Sequence, residues 1–495
     1  MTPTPTTDGR TTSMRALSAV LLPAMLATVI ASDMVNLVLP RIGAEFDATE
    51  AELAWVVTGF LLVFSVGIPF YGRISDRVSL RRLFCFALVA YAAGSLICAL
   101  APDLLVLVAG RIVMGTGAAA IPVLSIVAVT RLMPADRRGT GIGVVSAAAG
   151  IGTAAGPAVG GGLGELLGWP ALFWLMLVVA LVLLPAAARV LPDQAPVGAG
   201  RFDLPGGILL GLGAGLILYG ITQAQVAGLA APSSWGSLVA AAVAGALFAW
   251  RTARAAQPFV PPALFANRVY RTAVVVAFLA MAVNLGGLVL VPLLVVDVND
   301  LGPGAGALVM IPAGLAVAVV SPLIGRLADR AGTRPLVLSG LAIVALSALF
   351  LSACTGGPSP IPAGAGILGL SVGFIFVITP IISAAASALP ADQVGVGIGI
   401  LQGAQFLGAG TGPAVLGALV SARRQGGGGA VNPLYTAHEG AAFSDAFLAM
   451  AVVAALTVIV ALRMRPAAPS EAAPSGVATS EGTTSEGDRQ MARPE

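Results

Sequence analysis

Apolar stretches of about twenty residues recur from end to end of this 495-residue chain, and each is long enough to cross a bilayer as a helix. A lipid core offers no water to backbone N–H and C=O groups, so a spanning segment must satisfy them itself, as a helix or in a closed barrel. No alternating strand pattern of the barrel kind is present, so the spans are read as helices. Charged residues make up only 10% of the chain, where a soluble protein has about 25%. The reading is an all-α polytopic membrane protein. The pattern predicts fourteen spans: 16–39, 51–71, 83–101, 104–127, 140–165, 169–191, 204–223, 236–254, 271–296, 303–324, 336–355, 361–388, 393–420 and 441–463.

Loop charge predicts the orientation. All 26 basic residues are arginine. Arg73, Arg77, Arg81 and Arg82 lie between spans two and three, and Arg131, Arg137 and Arg138 between four and five. Arg251, Arg254, Arg268 and Arg271 join spans eight and nine, and Arg326, Arg330 and Arg334 lie between ten and eleven. The alternate loops are mostly neutral or acidic, as in Glu45, Asp47, Glu50 and Glu52. Arginine-rich loops stay in the cytoplasm, so both termini are expected there. Arg423 and Arg424 dissent, falling on the outer side. A pI near 9.0 therefore reports topology, and no nucleic-acid partner is expected.

Two motifs repeat at nearly one spacing. Gly72-Arg73-Ile74-Ser75-Asp76-Arg77 returns as Gly325-Arg326-Leu327-Ala328-Asp329-Arg330, 253 residues on (325 − 72). Gly156-Pro157-Ala158-Val159 returns as Gly412-Pro413-Ala414-Val415, 256 residues on (412 − 156). Two homologous six-helix bundles follow, residues 15–191 and 258–465, with an inserted helix pair in 192–257. Residues 1–14 form a short cytoplasmic tail, and 466–495, rich in Pro, Ser, Thr, Glu and Ala, are expected to be disordered.

In span five, Gly152, Gly156 and Gly160 recur every fourth residue and share one helix face. Bare glycine lets a neighbouring backbone approach closely, and Pro157 should bend the helix there. The face reads as a tight helix pair or as a seal along the seam between the bundles.

These motifs resemble the major facilitator superfamily, and within it the fourteen-helix drug:proton antiporters. The loop pattern G-x-L-A-D-R-x-G-R-K is matched at Gly72, Asp76, Arg77 and Arg81, while Ser79 and Leu80 depart from it, which implies a looser first loop. The second copy keeps Gly325, Leu327, Ala328, Asp329, Arg330 and Gly332. The pattern R-x-x-x-G-x-G appears as Arg111, Gly115 and Gly117, and the antiporter pattern G-x-x-x-G-P-x-x-G-G is complete through Gly152, Gly156, Pro157, Gly160 and Gly161. Span one departs: its acid, Asp33, precedes Pro40 by seven residues, as in twelve-helix exporters, not by nine.

The resemblance implies proton-coupled export of small hydrophobic or amphipathic drugs by alternating access. A charge at the centre of a bilayer helix costs about 2.5–3.5 kcal/mol, so each needs a reason. Asp33 and Arg111 are the proton-coupling candidates. Asp33 could instead be a solvated acid near the outer mouth, and Arg111 a structural cation on backbone carbonyls. The two Gly-Asp-Arg loops read as a cytoplasmic gate or as topology signals alone. Asn36, Asn284, Gln402, Gln405 and Thr379 could line a substrate cavity or join helices. Asp297 and Asp300 read as solvated loop acids.

Other classes fit less well. Cys85, Cys98 and Cys354 lack metal-ligand spacing, His438 is the only histidine, and no phosphate-binding GxxxxGK[ST] loop occurs. No enzyme activity, metal or cofactor is expected. The partners expected are a small-molecule substrate, protons and the cell-membrane bilayer, with the chain a monomer. A solute facilitator or symporter is the alternative within transport, and a membrane sensor or enzyme the alternative outside it.

Overall fold

The computed structural model describes residues 14–193, 203–227, 231–301, 303–354, 356–357, 359–426, 429–435 and 440–463, less the side chains of 14, 36, 50, 51, 54, 154, 157, 158, 225–227, 303–305 and 307. Residues 1–13 of the first end segment and all of 466–495 lie outside these, as does His438. Fourteen long helices are present among the described residues. They are α1 (Met14–Asp33), α2 (Glu50–Ser75), α3 (Leu80–Ala99), α4 (Leu104–Leu132), α5 (Arg138–Leu167), α6 (Pro170–Val190) and α7 (Leu204–Ala227). Then come α8 (Pro232–Arg254), α9 (Arg268–Asp297), α10 (Pro303–Ala331), α11 (Thr333–Cys354), α12 (Ile361–Ser387), α13 (Val394–Gly426) and α14 (Ala441–Leu462). No strand occurs among the described residues. Thirteen of the helices are long and apolar enough to cross a membrane. The remaining one, α5, has 30 residues, of which only Arg138 and Glu165 are charged.

Local signals set the helix ends. Thr49 and Glu52 form a capping box at the start of α2, and its hydrogen bonds to Thr49 hold the Glu52 carboxyl below its usual range. Asp103 caps α4 through the Val106 N–H, and Asn267 caps α9 through those of Val269 and Tyr270. Gly168, Gly332 and Gly440 take positive φ of 81°, 80° and 85° at helix boundaries, where a side chain would be strained. Large apolar side chains such as Val178, Leu181 and Val182 on α6 lie on the outer surface. That is the expected arrangement when the solvent is lipid.

Span one differs from its expected course. It is a helix only to Asp33, followed by a 3-10 turn over Met34–Leu37 and a separate short helix, Leu39–Phe46. Pro40 is the cause: it has no N–H to give, and in a continuous α-helix its ring would meet the carbonyl four residues earlier. The Asn36 side chain lies outside the described residues.

Helix packing repeats with an offset of eight. α1 packs on α5 and α6, and α9 on α13 and α14. α2 and α3 pack on α4 as α10 and α11 pack on α12. Two seams join the bundles, α2 with α13 and α5 with α10, and the same offset exchanges them. The inserted helices α7 and α8 pair with each other, and α7 lies against both α2 and α13.

Candidate functional site

The glycine face of α5 packs on α1. A Cβ at Gly152 would lie 2.7 Å from the Val29 Cβ, one at Gly156 3.0 Å from the Asp33 Cβ, and one at Gly164 2.5 Å from Val38 Cγ1. At Gly160 it would run into the Met34 carbonyl. Gly161 is looser, 3.6 Å from Leu37. This corrects the expectation that the face lines the seam between bundles: it closes a pair inside the first bundle. The earlier part of α5, from Gly139 to Gly150, faces α10 instead. The Pro157 ring lies outside the described side chains. Asp33 is half-buried at the break in span one, hydrogen-bonded to Ser32. At 1.5 Å per residue, its partner Gly156 lies about 16 Å inside the far end of α5.

Arg111 is fully buried on α4. Its Nε donates to the Val56 carbonyl and its Nη1 to the Ala31 carbonyl, both at 3.0 Å. The guanidinium lies 4.1 Å from the Phe60 ring centroid, a cation–π contact. No bond joins Arg111 to Asp33 among the described residues; the link is indirect, through Ala31 in the last turn of α1. The Arg111 Nη2 has no hydrogen-bond partner.

The two repeated aspartates do the same thing. Asp76, at the end of α2, accepts from the N–H groups of Gly395 at 2.9 Å and Val396 at 3.0 Å, at the start of α13. Asp329, near the end of α10, accepts from the N–H groups of Gly139 at 2.8 Å and Thr140 at 2.9 Å, at the start of α5. Each carboxylate thus caps a helix of the other bundle, where unpaired N–H groups and the helix dipole favour negative charge. Asp76 also receives Arg131 Nη2 at 2.6 Å, and Asp329 the Thr140 hydroxyl at 2.7 Å.

The arginine on Asp76 comes from α4, not from the loop that follows it. At the departures from the loop pattern, Ser79 caps α3 and its hydrogen bond, with Arg82 and Arg81 nearby, keeps the Asp193 carboxyl below its ordinary range. Among the remaining motif residues, Arg77 and Arg81 are partly exposed and Arg330 exposed, while Gly115 and Gly117 pack on the backbones of Phe60 and of Ala87 and Tyr91.

The polar cavity candidates are buried but dispersed: Asn284 on α9, Thr379 on α12, Gln402 and Gln405 on α13. Asn284 Oδ1, Thr379 Oγ1 and Gln405 Nε2 have no hydrogen-bond partner. An apolar groove of about 490 Å³ lies elsewhere, between α2 and α7, with Trp55 stacked on Tyr219 at 6.0 Å.

The dissenting arginines are neutralised. Arg423 pairs with Asp445 at 2.5 Å and Arg424 with Asp297 at 2.6 Å. Each ion pair ties the end of α13 to another helix, Asp445 on α14 and Asp297 on α9. Asp297 is accordingly an ion-pair partner and not a free loop acid.

The family model described as Major Facilitator Superfamily matches residues 21–413, more than half of the chain. The chain belongs to this superfamily. Among its curated relatives, the multidrug resistance protein Stp of Mycobacterium tuberculosis is 32% identical over 391 residues, 79% of this chain and 72% of that one. The lincomycin resistance protein LmrB of Listeria monocytogenes is 25% identical over 387 residues, 78% and 82% of the two chains. Two solved superfamily structures share the fold. The human organic anion transporter MFSD10 (TETRAN) aligns with TM-score 0.65 at 17% identity, over 90% of this chain and 99% of that one. The proton:xylose symporter XylE aligns with TM-score 0.60 at 16% identity, over 90% and 94%. The chain is thus a multi-pass membrane transporter.

The expectations missed the helix starts that receive the two aspartates. A signal for them exists. Gly139-Thr140-Gly141-Ile142-Gly143 returns as Gly395-Val396-Gly397-Ile398-Gly399, 256 residues on (395 − 139). That is the same offset as the Gly-Pro repeat, and it opens a helix each time. Arg131 and Asp203 carried no comparable pattern.

Proposed function

We propose that this superfamily member is a proton-driven exporter of small hydrophobic or amphipathic drugs, working by alternating access in the cell membrane. Both termini and the arginine-rich face are in the cytoplasm. The bundles of residues 15–191 and 258–465 rock about their common interface. The printed names of Stp and LmrB support drugs as cargo. Asp33 takes up a proton on the outer side and releases it on the inner side, so protons move in as cargo moves out. Arg111 fixes the end of α1 through the Ala31 carbonyl and adds positive potential near that acid. Asp76 and Asp329 close the cytoplasmic side by capping helices across the seams, and Asn284, Gln402 and Gln405 offer polar contacts to cargo when the bundles part. No enzyme reaction is assigned.

The observation that carries this reading is the place of Asp33. It lies at the break in span one, packed on Gly156 of the antiporter pattern. A broken helix at a carboxylate is a place where ion and substrate sites form in transporters. Efflux of a panel of amphipathic drugs from right-side-out vesicles placed in a more acidic medium tests it. Asp33→Asn is expected to abolish gradient-driven efflux, with substrate binding retained. Undiminished, gradient-dependent efflux in that variant would remove Asp33 from the mechanism.

A further inference from the structure

The inserted helix pair is tied to the gate by one buried carboxylate. Asp203 stands just before α7 and is 7% exposed. Its Oδ1 accepts from the Gly206 N–H at 3.2 Å and from Arg251 Nε at 3.1 Å, joining the start of α7 to the last turn of α8. Its Oδ2 accepts from the Phe259 N–H at 3.1 Å, in the connection that leads to α9 and the second bundle. That connection lies on the first bundle. The Phe259 ring sits 5.2 Å from the ring of Phe70 on α2, and the Pro258 carbonyl accepts from Arg73 Nη2 at 3.5 Å. Arg73 is the second residue of the gate motif, three before Asp76. Gly206 and Gly207 leave the space this needs: a Cβ at Gly206 would strike the Asp203 carboxylate, and one at Gly207 would lie 2.8 Å from the Phe259 ring.

We infer that Asp203 is a positioning residue of the transport cycle: it latches the inserted pair and the inter-bundle connection onto Arg73, and so holds the α2/α13 seam closed. Three pieces of chain meet at its two oxygens, so moving α2 away from α13 must either carry the connection along or break it from Arg73. A carboxylate that loses its charge weakens all these bonds together, because charge-assisted bonds are the stronger kind. The inserted pair is therefore part of the gate. The inference rests on alternating access, not on the nature of the cargo.

The test is a distance measurement without substrate, so its failure is separable from a wrong assignment of cargo. Cys85 and Cys354, the thiols that are not buried, are replaced, and spin labels are placed at Ala135→Cys and Ala391→Cys, two exposed positions on the arginine-rich face. The parent protein is expected to give one short-distance population. Asp203→Asn is expected to add a longer one, lowering the closed-to-open ratio by roughly fivefold or more. Asp203→Glu is expected to restore the short population. A purely structural anchor would lower yield or thermal stability and leave the distances of the folded protein unchanged, and that result overturns the inference. If Asp203→Asn does not reach the membrane, Arg251→Glu decides. Arg251 has 41% of its side chain exposed, and the exchange sets a second carboxylate beside Asp203. A longer population there supports the latch, and an unchanged distribution overturns it.

Discussion

The two seams between the bundles are built on one plan and finished differently. At each, a glycine of the repeated motif lies against the first turn of a helix from the other bundle. A Cβ at Gly72 would strike the Gly395 carbonyl, and one at Gly325 the Gly139 carbonyl. At each, an aspartate four residues later caps that same helix. The α2/α13 seam then adds a buried arginine, Arg131, an aromatic contact between Phe64 and Phe406 at 4.8 Å, and the cover of α7. The α5/α10 seam adds the Thr140 hydroxyl and a close approach of Gly150 to the Val317 side chain. The duplicated part supplies the closure. What differs decides how strongly charge contributes on each side.

The largest expected effect follows from the arginine. Asp76→Asn removes the charge partner of Arg131, whose side chain is only 13% exposed. Stranding a buried cation in this way costs about 3–5 kcal/mol. Asp329→Asn leaves only neutral donors behind. An amide keeps a single acceptor oxygen, so the bonds to the other oxygen are lost along with the charge, at a cost of about 1–3 kcal/mol. Efflux rates and the closed population should therefore fall much further in the first variant. Equal losses would show that Arg131 is satisfied by its second contact, the Ser75 carbonyl at 2.7 Å.

Next in size is what the seams share. Gly72→Ala and Gly325→Ala each push a methyl group into backbone that cannot rotate away. Overpacking of this kind costs about 1–3 kcal/mol. The two variants should weaken cytoplasmic closure to within about twofold of each other, as equivalent sites in separate seams. A large difference would mean that the charged seam holds its backbone more rigidly than the bare one.

The sequence carried the spans and the duplication well, because both are written in local composition. Each expected span overlaps one of the fourteen helices, and the repeated Asp76 and Asp329 do take equivalent places. What could not be read were partners set by folding. Gly395 is 319 residues from Asp76, and no local pattern says that a helix start will arrive there. The break at Asp33 is not legible in the apolar run 16–39, because the effect of Pro40 reaches back through the preceding turn. The pairs of Arg423 with Asp445 and of Arg424 with Asp297 likewise join residues of different helices. The glycine face was legible as a close contact, but not which helix would fill it.

The smallest effect probes the bare seam alone. Thr140→Val keeps the shape of the side chain and removes only the hydroxyl that reaches Asp329 Oδ2. Both backbone N–H bonds to that carboxylate remain. Losing one hydrogen bond to a charged group while two persist should cost about 1 kcal/mol, so the closed-to-open ratio should fall by roughly fivefold. Val396 is the residue that stands at this position in the other seam, and there Arg131 completes the aspartate's shell instead. The double variant Thr140→Val with Ser387→Arg, the residue 256 after Arg131 (387 − 131), would copy that arrangement into the bare seam. Recovery of closure in the double variant would show that hydroxyl and guanidinium are interchangeable ways of satisfying the same carboxylate. A further loss would show that the bare seam depends on its backbone approach and has no room for a charged partner.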